Sequence, residues 1–294
     1  MARLDESTLA ALLLTSRLVT DGPPPLKARE FWALVESVGG DPAVLLADDA
    51  PVVDDPGRIR GLLGRATTFA FALEDVERSG INIVSAFDPR YPARLREHLG
   101  AQAPPALHTV GPVALLSAPS LAIVGSDDDP QANGVGREAA IAAVGAGLTV
   151  LTGGGGAGVD AAATAAALAA GGQATGVLAD PLTRRIRQPD VRRAIHEGRL
   201  CLATPYPPSA PFSAGAAIGR HKIVHALARV TLVVATDQDE GQAWAGAAEA
   251  LARGYGQVAV WRGPGQGPGN EALAKRGALE VANIQEWLDT MPAP

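Results

Sequence analysis

The chain has few of the residues that would tie it to an oxidising compartment, a membrane or a zinc site. One of its 294 residues is cysteine, Cys201, which excludes a disulfide framework and a cysteine-based zinc site. That cysteine falls in an apolar run over 200–203 and reads as inert core. Aromatic residues make up 4% of the chain, too few for a surface that stacks many bases. No apolar stretch approaches the roughly 18 residues of a membrane-spanning helix. Residues 1–6 turn acidic at Asp5 and Glu6, where a signal peptide would become apolar. These absences predict a cytoplasmic protein. A cationic excess is missing as well. The net charge of −6 argues against an all-over nucleic-acid surface and leaves room only for a local patch.

What remains is 47% apolar and 19% charged, rich in alanine and glycine, and long enough for a full core plus a small second unit. Two textures divide it. Residues 1–80 read as a small all-helical domain of the SAM or helix-hairpin kind. Its helices fall after Asp5 or Ser7 to Arg17, over 26–38, over 56–64 and over 68–79, and Gly22-Pro23 and Gly39-Gly40 break the runs. From residue 81 to 294 strand-like runs alternate with helical ones. The pairs are 121–125 with 134–146, 148–152 with 159–170, 174–178 with 189–197, 200–203 with 214–227, 230–235 with 242–253, and 258–261 with 270–275. Such alternation predicts an α/β fold, an extended Rossmann-like and doubly wound sheet that is mostly parallel. Its ligands are expected beyond the strand C-terminal ends.

The run Gly153-Gly154-Gly155-Gly156-Ala157-Gly158-Val159-Asp160 lies at one such end, between a strand and an alanine-rich helix. Glycines there permit positive φ and close backbone approach, and the helix aims its free N–H groups at the same point. The combination suits phosphate. Gly125 and Ser126 close an earlier strand in a similar way and offer further donors. Asp160 would cap the helix or orient the loop. Arg220 and Lys222 lie on a helix expected to reach the same edge and to contact phosphate, or else to form a solvated face. Arg184, Arg185, Arg187, Arg192 and Arg193, with Arg199, give the segment 184–199 six arginines against Asp190 and Glu197, a local +4 with His196 neutral. This is a candidate basic patch, or a solubilising surface. His221 and His225 are spaced i, i+4, but Lys222 stands where a zincin has glutamate, so no metal site is expected.

With these residues in view, the chain resembles the DNA-processing protein A family (DprA, also called Smf) from about residue 73 to 281. The lead-in Phe87-Asp88-Pro89-Arg90-Tyr91-Pro92 is similar, as is Ala122-Ile123-Val124-Gly125-Ser126 to the family's VGSR element. Gly158-Val159-Asp160 matches the end of its SGxAxGID element. Arg220-His221-Lys222 sits where the family has RNR, and Gly269-Asn270-Glu271-Ala272-Leu273 matches its closing signature. Departures are clear. Asp127 replaces the VGSR arginine and is followed by Asp128 and Asp129. Gly153 replaces a serine, Thr164 a histidine, and Glu240-Gly241-Gln242-Ala243 stands for the late SGSL-type loop.

The resemblance implies a non-catalytic protein without cofactor or metal. Such a protein would bind single-stranded DNA, form a homodimer, and hand the strand to the RecA recombinase during DNA uptake and transformation. It carries the DNA and phosphate contacts onto Gly125, Ser126, Gly153, Gly154, Gly155, Gly156, Gly158, Asp160, Arg220, Lys222 and Gly241. A more distant similarity links Leu151-Thr152-Gly153-Gly154 and Ala169-Ala170-Gly171-Gly172 to the LOG-type phosphoribohydrolases. Their catalytic PGGxGTxxE element has no counterpart here, so this second reading is a nucleotide-ligand sensor or an inactive relative.

Overall fold

The computed structural model describes residues 4–125 and 129–291. Residues 4–80 carry only helices and their connections. Helix α1 (Glu6–Thr15) starts at Asp5, whose carboxylate accepts the Thr8 amide at 2.8 Å and so satisfies one free donor of the first turn. Helices α2 (Ala28–Ser37), α3 (Pro56–Leu63) and α4 (Ala66–Arg78) follow. Phe31, Trp32 and Val35 from one stripe of α2 pack with Leu14, Ile59 and Leu62. Arg65 is buried here and donates to the carbonyls of Leu13, Ser16 and Val19, which join the end of α1 to the start of α4. Ala86 and Phe87 complete the first cluster, while the indole of Trp32 donates to the Ala103 carbonyl at 2.8 Å.

The sheet begins with β1 (Asn82–Ser85), followed by α5 (Ala93–Leu99) and β2 (Ala106–Val110). Then come β3 (Ser120–Val124), α6 (Pro130–Gly145), β4 (Thr149–Thr152), α7 (Gly158–Ala169) and β5 (Ala174–Val177). Helices α8 (Leu182–Arg185) and α9 (Pro189–His196) lead to β6 (Leu200–Thr204) and α10 (Ala214–Leu227). The chain closes with β7 (Val230–Val233), α11 (Gly241–Arg253), β8 (Gln257–Trp261), α12 (Gly269–Lys275), β9 (Leu279–Val281) and α13 (Ile284–Asp289). The strand order is β1-β2-β6-β5-β4-β3-β7-β8-β9. β1/β2 and β2/β6 are antiparallel, and every other pair is parallel. The fold is the α/β, Rossmann-like, doubly wound one expected.

Alternation along β3 shows how the layers form. Leu121 and Ile123 face α6 and α7, whose small Ala139, Ala143, Ala163 and Ala167 let both helices sit close to the sheet. Ala122 and Val124 face the opposite layer, where α10 and α11 supply Ile223, Val224, Trp244 and Ala247. Both faces are covered, so the central strands read as continuous apolar runs. From β3 the chain steps outward through β4, β5 and β6, then returns to β7 on the other side of β3. That reversal opens a crevice at the strand ends. Asn270, fully buried, closes part of the edge: its amide donates to the carbonyls of Val234 and Trp261, and its carbonyl accepts the Thr236 amide. The closing signature is therefore a brace between β7 and β8. No helix among the described residues is long and apolar enough to cross a membrane.

Candidate functional site

The glycine run joins β4 to α7. Gly154 and Gly158 have φ of +67° and +66°, a region that L side chains avoid. A relay of hydroxyls fixes the turn. The Gly154 amide donates to Thr152 Oγ1 at 3.0 Å, and the Thr164 hydroxyl donates to the Asp160 carbonyl at 2.8 Å. With the proton of Thr164 so committed, the 3.1 Å contact between the two threonines is a bond donated by Thr152. Strand end, loop and helix are thus held in one geometry. Helix α7 receives no side-chain cap at Ala157, so no side chain there competes for its first amides.

Arg220 lies beneath this turn. A Cβ placed on Gly153 would stand 1.2 Å from its Nη1, so the guanidinium occupies the space a side chain would fill. Arg220 is 8% exposed and Asp160 is 7% exposed. They form an ion pair at 3.6 Å, too long for a hydrogen bond. Nε and Nη1 of Arg220 are buried and have no hydrogen-bond partner among the described residues. Buried donors are almost always paired, so two guanidinium nitrogens without hydrogen bonds, balanced in charge among the described residues by Asp160 alone at 3.6 Å, are donors that an anion oxygen could complete.

The rim is basic. Arg185 donates to the Gly155 carbonyl at 3.3 Å and to the Gln188 side-chain carbonyl. With Arg184, Asp180 and Pro181 it encloses a recess of about 140 Å³ over Gly154 and Gly156. The same glycines open on a groove of about 660 Å³ between α7 and α9, with Leu168, Val191 and Leu202 in its apolar wall and Arg193 and Arg199 beside Asp190 and Glu197. At Gly155 and Gly156 an added Cβ would meet only ordinary contacts, at 3.7 Å and 3.5 Å, and neither has a left-handed φ. The fold does not require glycine at these two positions, while a ligand approaching the backbone would.

The remaining residues scatter. Gly125 is filled by the chain itself: a Cβ there would lie 2.8 Å from Val159 Cγ2. Ser126, Asp127 and Asp128 lie outside the described residues. Asp129 caps α6 by accepting the Gln131 amide at 2.8 Å. Gly241 begins α11 beyond β7, exposed, with φ of +78°. Arg187 is exposed, and Arg192 lines a different cavity with Gly80 and Val110. Lys222 is not brought to the glycine turn. Two helical residues apart from Arg220, it leaves α10 about 200° away and lines a cavity shared with α1 and α2.

His221 and His225 are buried side by side on α10, and among the described residues no cluster of three or more metal-ligating groups exists. Desolvation holds His225 near a pKa of about 4, and His221 well below its usual value with help from the Arg220 charge. Both are neutral core residues. Sequence reading missed the roles of Thr152 and Gln188. Thr164 had a usable signal, since it lies one helical turn after Asp160 on the same face.

Comparison with known proteins identifies the fold and the family. The chain aligns over 99% of its length, and 99% of the other, with an X-ray structure of DNA processing protein A (DprA) from Streptococcus pneumoniae, at TM-score 0.71 and 21% identity. DNA processing protein A from Helicobacter pylori, whose structure concerns a single-stranded DNA binding mode, matches at TM-score 0.57 and 22% identity, covering 71% of this chain and 94% of that one. Comparison with curated proteins found no match. At these identities the structures speak for the fold. The family model for DNA recombination-mediator protein A matches residues 82–292, and the chain therefore belongs to that family.

Proposed function

We propose that the protein binds single-stranded DNA without chemistry of its own, and that it serves DNA uptake and recombination in the cytoplasm as a homodimer that passes the strand to a RecA recombinase. Family membership supports the recombination half of this reading. The binding half rests on one observation, the buried Arg220 fork with unpartnered donors under a turn whose Gly155 and Gly156 leave room for a ligand.

In this reading a backbone phosphate sits on the glycine turn. It completes the hydrogen bonding of Arg220 and takes amides from the start of α7. Arg184 and Arg185 hold the phosphate from the rim. Neighbouring bases lie over the apolar wall of Leu168, Val191 and Leu202. A duplex keeps its bases turned inward and leaves that wall unused, which favours a single strand. Asp180, Asp190 and Glu197 limit the cationic track to the turn, so few phosphates are engaged at once.

The test is anisotropy of a labelled oligo-dT across a salt series, with a duplex control. Arg220→Lys keeps the charge beside Asp160 but loses the second arm of the fork. It should weaken binding about tenfold, on the scale of one charged hydrogen bond. Removing both rim cations, Arg184→Ala with Arg185→Ala, should flatten the salt slope by about 0.7 for each phosphate no longer neutralised. An unchanged slope contradicts the placement. Absence of strand binding at low salt, with saturable thermal stabilisation by one mononucleotide, would favour the nucleotide-sensor reading instead.

A further inference from the structure

A second cavity, of about 670 Å³, lies where α1 and α2 meet the end of β6 and the first half of α10. Its volume falls in the range of small-molecule sites. Buried Leu12, Leu26 and Ile223 form an apolar floor. Arg17, Lys27 and Lys222 are among the residues that line it, and among the described residues its lining holds no aspartate or glutamate. Arg17 and Lys27 are exposed at the rim, whereas Lys222 is half-buried in the wall. None of the three forms an ion pair among the described residues. Burial pushes the Lys222 amine below its ordinary value. Glu249 opposes that shift, while Arg29 and Arg253 add to it.

This is an unusual arrangement for a chain of net charge −6. Glu249 lies near Lys222 and Glu30 near Lys27, yet neither lines the cavity and neither closes an ion pair with these cations among the described residues. Helix α10 adds to the field, since Gly215, Ala216 and Gly219 of its first turns line the same cavity and bring the positive end of its dipole. Tyr206 is fixed across that helix by donating to the Ala216 carbonyl at 2.8 Å, and Gly219 makes room for it: a Cβ there would lie 2.8 Å from the tyrosine oxygen. The cavity is separate from the glycine turn, because Arg220 and Lys222 leave α10 in nearly opposite directions.

We propose that this cavity is a second binding site, for a small organic anion with an apolar body, whose acid group is received by Lys222 and whose body rests on Leu12, Leu26 and Ile223. The site joins the helical segment to the α/β sheet, so an occupant ties the two together. The inference does not depend on the DNA reading.

The test uses 1-anilinonaphthalene-8-sulfonate as probe on the full chain, with N-phenyl-1-naphthylamine as the same ring system without the acid. One sulfonate probe should bind per chain. Lys222→Met should weaken it about tenfold, Lys222→Arg should keep it, and the uncharged probe should respond to neither change. Saturating oligo-dT should leave the probe in place. If Lys222→Met fails to fold, Arg17→Met with Lys27→Met gives the same reading from the rim. Sulfonate affinity unchanged in the methionine variants, no stoichiometric binding at all, or displacement of the probe by oligo-dT would each overturn the proposal. The last result would assign the cavity to the path of the strand.

Discussion

Two strands of this molecule, β3 and β4, are each followed directly by glycine and differ in what fills the space beside it. Strand β3 ends at Gly125 and leads to α6; strand β4 ends in the glycine run and leads to α7. In the first, Val159 occupies the space over Gly125 and also presses on Gly136, where a Cβ would stand 3.0 Å from its Cγ1. In the second, the space over Gly153 is taken by a guanidinium with donors to spare, and the space over Gly155 and Gly156 by nothing the fold requires. Glycine at a βα turn therefore reports close approach without saying what approaches. The atom that stands where a Cβ would be decides between packing and a ligand.

The same contrast divides the buried polar groups of α10. Arg220 and His225 both have ring or guanidinium nitrogens without hydrogen-bond partners among the described residues. An anion can complete Arg220, whereas His225 faces only core. His225 and His108 are held neutral by burial, each with a pKa of about 4. The unfolded chain takes up their protons below about pH 6.5, and the native chain does so only near 4, so stability falls as the pH is lowered across that window. The expected loss is about 3 kcal/mol for each, the largest effect of the series. Urea unfolding at a series of pH values should show it, and oligo-dT should shift the curve upward without removing the slope. His225→Phe should remove about half. A flat profile would mean that the imidazoles are solvated.

Gly153→Ala comes next. Its Cβ would displace the buried guanidinium and break its ion pair with Asp160, so a stability loss of about 3 kcal/mol is expected together with loss of strand binding. Gly125→Ala sharpens the comparison. It crowds Val159, with the Ala235 carbonyl at 3.4 Å, so about 1–3 kcal/mol of stability should be lost to overpacking while strand affinity per folded molecule is kept. Chemical denaturation and anisotropy on the same two samples separate these outcomes. Equal binding losses in both variants would erase the distinction between the turns.

Much of this is legible in the sequence, for reasons visible in particular residues. Strands β3 to β8 are buried on both sides, so Leu121-Ala122-Ile123-Val124 and its counterparts announce themselves as short apolar runs. Strands β1 and β2 do not, because an antiparallel edge carrying Asn82, His108 and Thr109 breaks the pattern. β9 is three residues long with Leu279 exposed. At the site, the glycine turn is a local signal and Asp160 travels with it. The approach of Arg220 from a helix about 60 residues further on is not local, nor is the meeting of Arg17 and Lys27 with Lys222. The helical repeat alone, however, separates Arg220 from Lys222. One basic stretch likewise serves several surfaces: Arg184 and Arg185 face the turn, Arg192 faces away, and charge counting along the chain cannot see the difference.

The smallest effect on folding carries the most weight for function. Gly156→Ala places a methyl 3.5 Å from Arg185 Nη1, an ordinary contact, and its φ is not left-handed. The fold should accept it, with a change in stability within about 0.5 kcal/mol or a slight gain from the stiffer unfolded chain. Any cost must then fall on whatever rests against the backbone there. If a phosphate lies on the turn, the methyl keeps it from the amides and strand affinity drops about tenfold, roughly 1.4 kcal/mol, with the salt slope nearly unchanged because no cation has been removed. Circular dichroism melting and the oligo-dT titration read the two quantities independently. Full affinity in Gly156→Ala would show that the glycines after β4, like Gly125 after β3, serve only the chain's own packing, and would move the strand to the rim arginines.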